Sequence, residues 1–252
     1  MRIVPLGVGD AFSARWYSSC LALEHDDRWI LVDCPHPIRK MLRESDAGVD
    51  LDRVEAVALT HLHADHASGL EGYGYFAHFA LGRRAPIAAH PPVVERLWEG
   101  HLAAGMERLV TGERPARRTL TDYFELLPLE VGARVEVGPF AIECRPTRHH
   151  IATTAFRIHA GDESLGYSAD TAFDPALIEW LAEADVVIHE TNYGSQHTPY
   201  AALAALPAET RAKMRLIHYP DDLDLSESAI APLEQGRVYA VAELKTRQTV
   251  SA

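Results

Sequence analysis

Apolar residues in this chain fall in short runs broken by Gly, Pro, Asp and His, a pattern of buried strands more than of long amphipathic helices. Strands are predicted at 2–5, 19–24 and 29–33, followed by a helix at 37–44. Residues 54–60 (VEAVALT) form a near-continuous apolar run, as expected of a strand covered on both faces, and the run stops at His61. Further strands are predicted at 123–127, 134–137, 141–146, 154–159 and 164–168. A helix at 175–182, a strand at 185–189, a helix at 199–206, a strand at 214–218 and a last strand at 237–242 complete the pattern. Residues 91–122 differ: helix formers mix with a basic loop around Arg114, Arg117 and Arg118, which reads as a helical insertion or lid of one or two helices and a loop. Those arginines form a solvated loop or meet an anion. Strands with helices between and after them predict stacked α/β layers in a single domain, 1–252.

Composition narrows the function classes. With 47% hydrophobic and 24% charged residues, the chain is neither a disordered tail nor a disulfide scaffold. Its net charge of −12 argues against sequence-independent nucleic-acid binding, which relies on a basic face. One small anionic substrate in a locally positive pocket stays compatible. No run is apolar enough to span a bilayer, so no membrane partner is expected. The opening MRIVPLGVGDAFSARW does not read as a secretory signal. Cys20, Cys34 and Cys144 form no close pair, which fits small buried thiols in a cytoplasmic protein.

The 14 histidines carry the chemistry, because several stand where predicted strands stop. Thr60-His61-Leu62-His63-Ala64-Asp65-His66 is an HxHxDH run. His61 and His63 are two apart, so an extended backbone points both to one side. The chain then turns and brings Asp65 and His66 beside them. Imidazole and carboxylate ligate zinc and related first-row metals. Further ligand types stand at later strand ends: His149 and His150 after Cys144-Arg145-Pro146, Asp170 after Leu165-Gly166-Tyr167, and His218 after Leu216-Ile217.

These motifs, with Gly7-Val8-Gly9-Asp10 and Val32-Asp33-Cys34, resemble the metallo-β-lactamase superfamily over nearly the whole chain. The resemblance implies a four-layer αβ/βα sandwich with paired metals at one edge. It implies a first metal on His61, His63 and His149, a second on Asp65, His66 and His218, and Asp170 bridging them. His149 is preferred over His150 because relatives carry an aromatic strand residue seven positions on, here Phe156. Asp33 matches the family's first acidic position and is expected to support a ligand from behind. His159 reads as structural, and His25, His36, His78, His90 and His101 receive no role.

Val186-Val187-Ile188-His189-Glu190-Thr191-Asn192 and Gln196-His197-Thr198 resemble two runs of the ribonuclease Z branch. That likeness implies a Glu190–His197 pair near the metals; the plainer reading is local capping by Glu190 and a helix-flanking His197. Candidate catalytic residues are therefore Asp65, Glu190 and His197, with Asp65 also a ligand. Ribonuclease Z enzymes carry a tRNA-gripping arm, but His149 and Asp170 lie only 21 positions apart. That spacing and the acidic charge disfavour tRNA.

The reading is a hydrolase with two divalent ions, zinc by default and manganese or iron also suited. A water bridging the ions, its pKa lowered to ~7, attacks as hydroxide. The leading substrate class is a small or cyclic phosphodiester, with a His197–Glu190 pair protonating the leaving alkoxide. Arg145, Arg148 and Arg157 are candidates for biasing the pocket towards phosphate. The alternatives are a lactone or other carboxylic-ester hydrolase and a non-catalytic metal-binding partner protein. A homo-oligomer is compatible with the sequence.

Overall fold

A computed structural model describes residues 1–111 and 114–246. The two residues at 112–113 of the predicted insertion and 247–252 of the predicted domain lie outside the described residues. The first five strands are β1 (Arg2–Gly7), β2 (Cys20–His25), β3 (Arg28–Val32), β4 (Val54–Leu59) and β5 (Ala85–Ala89). A hairpin of β6 (Arg108–Thr111) and β7 (Arg114–Arg117) precedes β8 (Phe124–Pro128). Then come β9 (Arg134–Val137), β10 (Phe140–Pro146), β11 (Thr154–Ala160), β12 (Glu163–Tyr167), β13 (Val186–Glu190), β14 (Met214–Ile217) and β15 (Tyr239–Ala240). The described residues form a seven-stranded sheet, β15-β1-β2-β3-β4-β5-β8, and a six-stranded sheet, β14-β13-β12-β11-β10-β9. Each sheet is antiparallel at one side and parallel at the other: β3, β4, β5 and β8 run parallel, as do β12, β13 and β14.

Side chains of the first sheet alternate between two cores, as the twofold period of a strand requires. Leu21, Leu23, Ile30, Val32, Ala56 and Ala58 face the second sheet and pack with Ile142, Phe156 and Ile158. Their neighbours Ala22, Trp29, Leu31, Val57 and Leu59 pack against outer helical residues such as Met41, Leu42, Leu70 and Tyr73. On the far side of the second sheet, Leu177 and Leu181 of the helix Pro175–Leu181 join the core. This is the four-layer αβ/βα arrangement. Its sheets are covered on both faces, so VEAVALT reads as nearly unbroken apolar residues.

Several expectations need correction. β5 has no counterpart among the predicted strands; its Ala-Pro-Ile-Ala-Ala sequence carries weak strand propensity and is held by parallel pairing with β4 and β8. The insertion contains short helical pieces at Pro91–Val94 and Ala103–Met106, but its basic loop is largely the β6–β7 hairpin. The last predicted strand shrinks to Tyr239–Ala240, which pairs with two residues of β1 before the helix Val241–Thr246 begins. Glu243, Leu244 and Lys245 are good helix formers, and only two residue pairs oppose them. A helix at Ala208–Lys213 was not expected. Among the described residues, no helix is long and apolar enough to cross a membrane.

Strand ends from both sheets meet along one edge. Thr154 N–H and Oγ1 both donate to the carbonyl of Thr60, at 3.1 and 3.3 Å, and so join β11 to the end of β4. Tyr219 N–H donates to Val8 O at 3.2 Å and joins the end of β14 to the end of β1. Phe156, fully buried between the sheets, is a sensitive probe of this packing. Phe156→Ala is expected to cost about 3–5 kcal/mol in urea unfolding; a loss below about 1 kcal/mol would contradict the packing described.

Candidate metal centre and active site

His61 and His63 leave β4 on extended backbone, and the short helix Ala64–Ala67 then carries Asp65 and His66. This turn is sewn to the loop after β3: Cys34 N–H donates to His66 O and Gly69 N–H to Cys34 O, both at 2.8 Å. The approach requires glycine, since a Cβ at Gly69 would stand 2.6 Å from Pro35 O and 2.7 Å from Cys34 O. His149 arrives from the loop after β10, Asp170 from the end of β12, and His218 directly after β14. Ala169 and His218 adopt left-handed backbone angles, φ +51° and +58°, which redirect the chain at these strand ends.

Ligand atoms of His61, His63, His149 and Asp170 converge in one cluster, and those of Asp65, His66, Asp170 and His218 in a second; within each, all lie within 4.8 Å of one another. In the first, His63 Nδ1 is 3.1 Å from both His61 Nε2 and His149 Nε2. Asp170 Oδ2 is 3.8 Å from His61 Nε2 and 3.6 Å from His149 Nε2. In the second, His66 Nε2 is 3.3 Å from Asp65 Oδ2 and 3.4 Å from Asp170 Oδ1. His218 Nε2 lies 3.2 Å from Asp65 Oδ2 and 3.5 Å from Asp170 Oδ2. Four donors set tetrahedrally about 2.1 Å from one ion stand about 3.4 Å apart. Both clusters match that spacing, and Asp170 belongs to each.

The tautomers follow from the other ring nitrogens. Thr60 Oγ1 sits 2.9 Å from both oxygens of Asp33, to which its single proton goes. His61 Nδ1, 2.9 Å from the same hydroxyl, must therefore be the donor in that contact. His66 Nδ1–H donates to Asp33 Oδ2 at 2.8 Å, and His149 Nδ1–H to Gln196 O at 3.1 Å. Each ring then presents Nε2 to its cluster. His66 Nε2 is buried without a well-aligned hydrogen-bond partner. Ring nitrogens crowded at 3.1 Å, with His66 Nε2 beside two carboxylates, fit a cradle for divalent cations better than a plain hydrogen-bond network.

Burial pushes the His61 ring well down, lowers His63, and takes His149 down to about 4, so all three are neutral and suited to ligation. Burial also opposes charge on His66 and His218. There the carboxylates prevail: Asp170, Asp33 and Asp65 raise His66, and Asp170 and Asp65 raise His218. Burial likewise works to raise Asp65 and Asp170, but His66 and His218 outweigh it and hold both well down. The second cluster is thus balanced by protonated imidazoles, and any cation entering it displaces those protons.

Glu190 ends β13 and is buried at the back of the site. Its Oε1 accepts from His197 Nδ1 at 3.0 Å and from the backbone N–H of Thr171 at 2.9 Å and of Thr198 at 3.4 Å. It therefore braces the loops behind Asp170 and around His197 while also orienting the His197 ring. That ring stacks on His218 at 5.4 Å and meets His149 edge-on at 5.1 Å, across both clusters. Burial, reinforced by Asp170, pushes the Glu190 carboxyl well up.

Other expected residues stand elsewhere. His150 is exposed, its ring centroid 6.2 Å from that of His63. Arg145 donates to Ala176 O, Arg148 pairs with Asp174, and Arg157 pairs with Glu143 and Glu183. These arginines are engaged by groups outside the clusters, so the expected bias towards phosphate finds no support there. Arg117 and Arg118 pair with Glu107 and Asp122. Asp10, Thr60 and Asn192 lay within the motifs but received no role from the sequence. Asn192 Nδ2 donates to Asp10 Oδ2 at 3.2 Å and lies 3.4 Å from His218 Nδ1. The Gly-Val-Gly-Asp motif contained Asp10 and the run after Val186 ended on Asn192, but nothing in their spacing joined the two.

A family model described as anti-Pycsar protein Apyc1 matches residues 1–239. The chain belongs to the anti-Pycsar Apyc1 family. The Apyc1 protein of Saccharibacillus brassicae is 30% identical over 251 residues, covering 96% of this chain and all of that one. The metallo-β-lactamase fold protein YhfI from Bacillus subtilis superposes with TM-score 0.75 at 19% identity, over 95% of this chain and 99% of its own. Human tRNase Z, short form, gives 0.69 at 17% identity, over 96% and 99%. The metallo-β-lactamase fold expected from the motifs is thus shown, and Apyc1 family membership together with the two clusters supports a metal-dependent hydrolase.

Behind the site, His189 is fully buried, and burial lowers its pKa to about 4. An unfolded histidine takes up its proton near pH 6.5. Between pH 6.5 and 4 the unfolded state therefore binds more protons, and this residue removes stability as pH falls. His189→Gln is expected to flatten the fall in stability over that window, by up to roughly 3 kcal/mol at its lower end. Urea midpoints at pH 4.5, 5.5 and 6.5 check this; an unchanged slope would refute a neutral buried ring.

Proposed function

We propose that this protein is a dinuclear metal-dependent phosphodiesterase acting on a small or cyclic phosphodiester. The observation that carries the proposal is the pair of four-donor clusters sharing Asp170. His61, His63, His149 and Asp170 hold one ion, and Asp65, His66, Asp170 and His218 the other. Zinc is the proposed ion because imidazole dominates the first cluster; the mixed second one also suits manganese or iron. Ions in this cradle supply a water nucleophile active near neutral pH and offset charge developing on the phosphoryl oxygens.

The chain's own residues do the rest. Asp33 and Thr60 fix the rings of His66 and His61 from behind. Asp65 and Asp170 provide the negative charge that retains the cations. Glu190 holds His197 Nδ1, so its Nε2 is the atom that gives a proton to the leaving alkoxide as the P–O bond breaks. The runs that carry this His–Glu pair resemble those of the ribonuclease Z branch, and we place the chain in that branch. It has 21 positions between His149 and Asp170 and a net charge of −12, which disfavours tRNA. Three buried, free thiols support residence in the reducing cytoplasm.

A substrate panel tests the proposal: cyclic nucleotides, a chromogenic phosphodiester and acyl-lactones, assayed with zinc- and manganese-loaded protein. Turnover confined to lactones would replace it with the ester-hydrolase reading, and no turnover at full metal occupancy with a metal-binding partner. Two variants test the residue roles. His63→Ala is expected to abolish activity and lower bound metal by elemental analysis. His197→Ala is expected to retain metal while kcat falls about 10²-fold; a normal kcat would remove His197 from the proton transfer. Because protons compete at His66 and His218, metal affinity measured against a chelator is expected to fall as pH drops from 8 to 6.

A further inference from the structure

A metal-binding histidine almost always donates its outer ring N–H to an acceptor, which fixes the ring and strengthens the ligand. His61 donates to the Thr60 hydroxyl, His66 to Asp33 and His149 to Gln196 O. His218 departs from this pattern. With Nε2 turned to Asp65 and Asp170, its Nδ1 faces Asn192 Nδ2 at 3.4 Å.

The orientation of that amide follows from its partners on both sides. Asn192 Oδ1 accepts Tyr193 N–H at 2.7 Å, and Nδ2 donates to Asp10 Oδ2 at 3.2 Å. A turned amide would set its oxygen against the Asp10 carboxylate and its NH2 against Tyr193 N–H. Asp10 is buried, and its other oxygen accepts Phe12 N–H at 3.0 Å, which holds it in place. The His218 ring is held as well: it is buried and stacks on His66 at 5.3 Å and on His197 at 5.4 Å. A neutral ring with its proton on Nε2 is matched on both sides, accepting from Asn192 on Nδ1 and donating to Asp65 Oδ2 at 3.2 Å. An ion on Nε2 obliges the proton to sit on Nδ1, where it meets a donor and stays unmatched in a buried place.

We infer that Asp10 and Asn192 are positioning residues that withhold an acceptor from His218 and so make the second ion the exchangeable one. The inference rests on the dinuclear reading and adds its regulation: the first ion stays bound while the second is gained and lost as free metal changes.

Zinc uptake by the full chain, followed in chelator-buffered solutions at pH 8.5, where protons compete least at the imidazoles, tests this. Wild type is expected to load in two steps, with the weaker step missing in Asp65→Ala, since Asp65 belongs to the second cluster alone. Asp10→Asn keeps an acceptor for Phe12 N–H and turns an NH2 towards residue 192, so that Asn192 can present its oxygen to His218. Its weaker step is expected to tighten about tenfold although a negative charge is removed; the loss of charge by itself predicts the opposite. Should Asp10→Asn not fold, Asn192→Ala, which deletes the facing donor, takes its place with the same expected direction. An unchanged or weakened second step in the folded variant, or two equal steps in wild type, overturns the inference. Fewer than two ions bound by wild type at saturation overturns the dinuclear reading itself, and the inference with it.

Discussion

His61, His66 and His149 each have one ring nitrogen engaged by the protein, and that constraint aims the other nitrogen into the centre. Asp33 is the root of it. Its carboxylate is fully buried, accepts from the backbone and hydroxyl of Thr60, and holds His66 Nδ1. Its own backbone is left-handed, φ +65°, which turns the carboxylate beneath the HxHxDH loop. Without that hydrogen-bonded support, the imidazoles would rotate to seek separate partners, and the approach of ring nitrogens to 3.1 Å would not persist.

The two sheets explain why the centre lies where it does. Parallel strands end together, so β3, β4, β12, β13 and β14 deliver Asp33, His61, Asp170, Glu190 and His218 to one edge. Thr154 to Thr60 and Tyr219 to Val8 tie the edge across the sandwich. Glu190 extends the same logic, since one buried oxygen serves the backbone behind Asp170, the backbone at Thr198 and the His197 ring. Bracing and orienting are here one set of bonds.

Charge is the counterpart of this geometry. Asp65, Asp170 and Asp33 crowd around His66, and burial makes each isolated charge costly. Proton sharing between carboxylates and imidazoles in the second cluster offsets that cost, and divalent cations offset it more completely. Loading with metal is accordingly coupled to proton release and to stability.

The primary structure alone determined the layers and the inventory of candidate ligands. Alternating apolar residues that bury both faces of β2, β3 and β4 leave one-dimensional periodicities, and HxHxDH gathers four ligand-type residues within six positions. Residues 123–168 are legible for the same reason, because strand alternation is a neighbour-to-neighbour property. Only the tertiary structure decided what depends on distant contacts. It put His149 in the cluster and left His150 exposed, drew Asn192 to Asp10 across 182 positions, and turned the arginines near His149 to carbonyls and carboxylates elsewhere. It also made β5 a strand by pairing it between β4 and β8, where its own propensity is weak. Hydrogen-bond partners and strand pairings of this kind carry no periodic trace in sequence, since they are chosen by which chain segments the packed sheets bring within about 3 Å of one another.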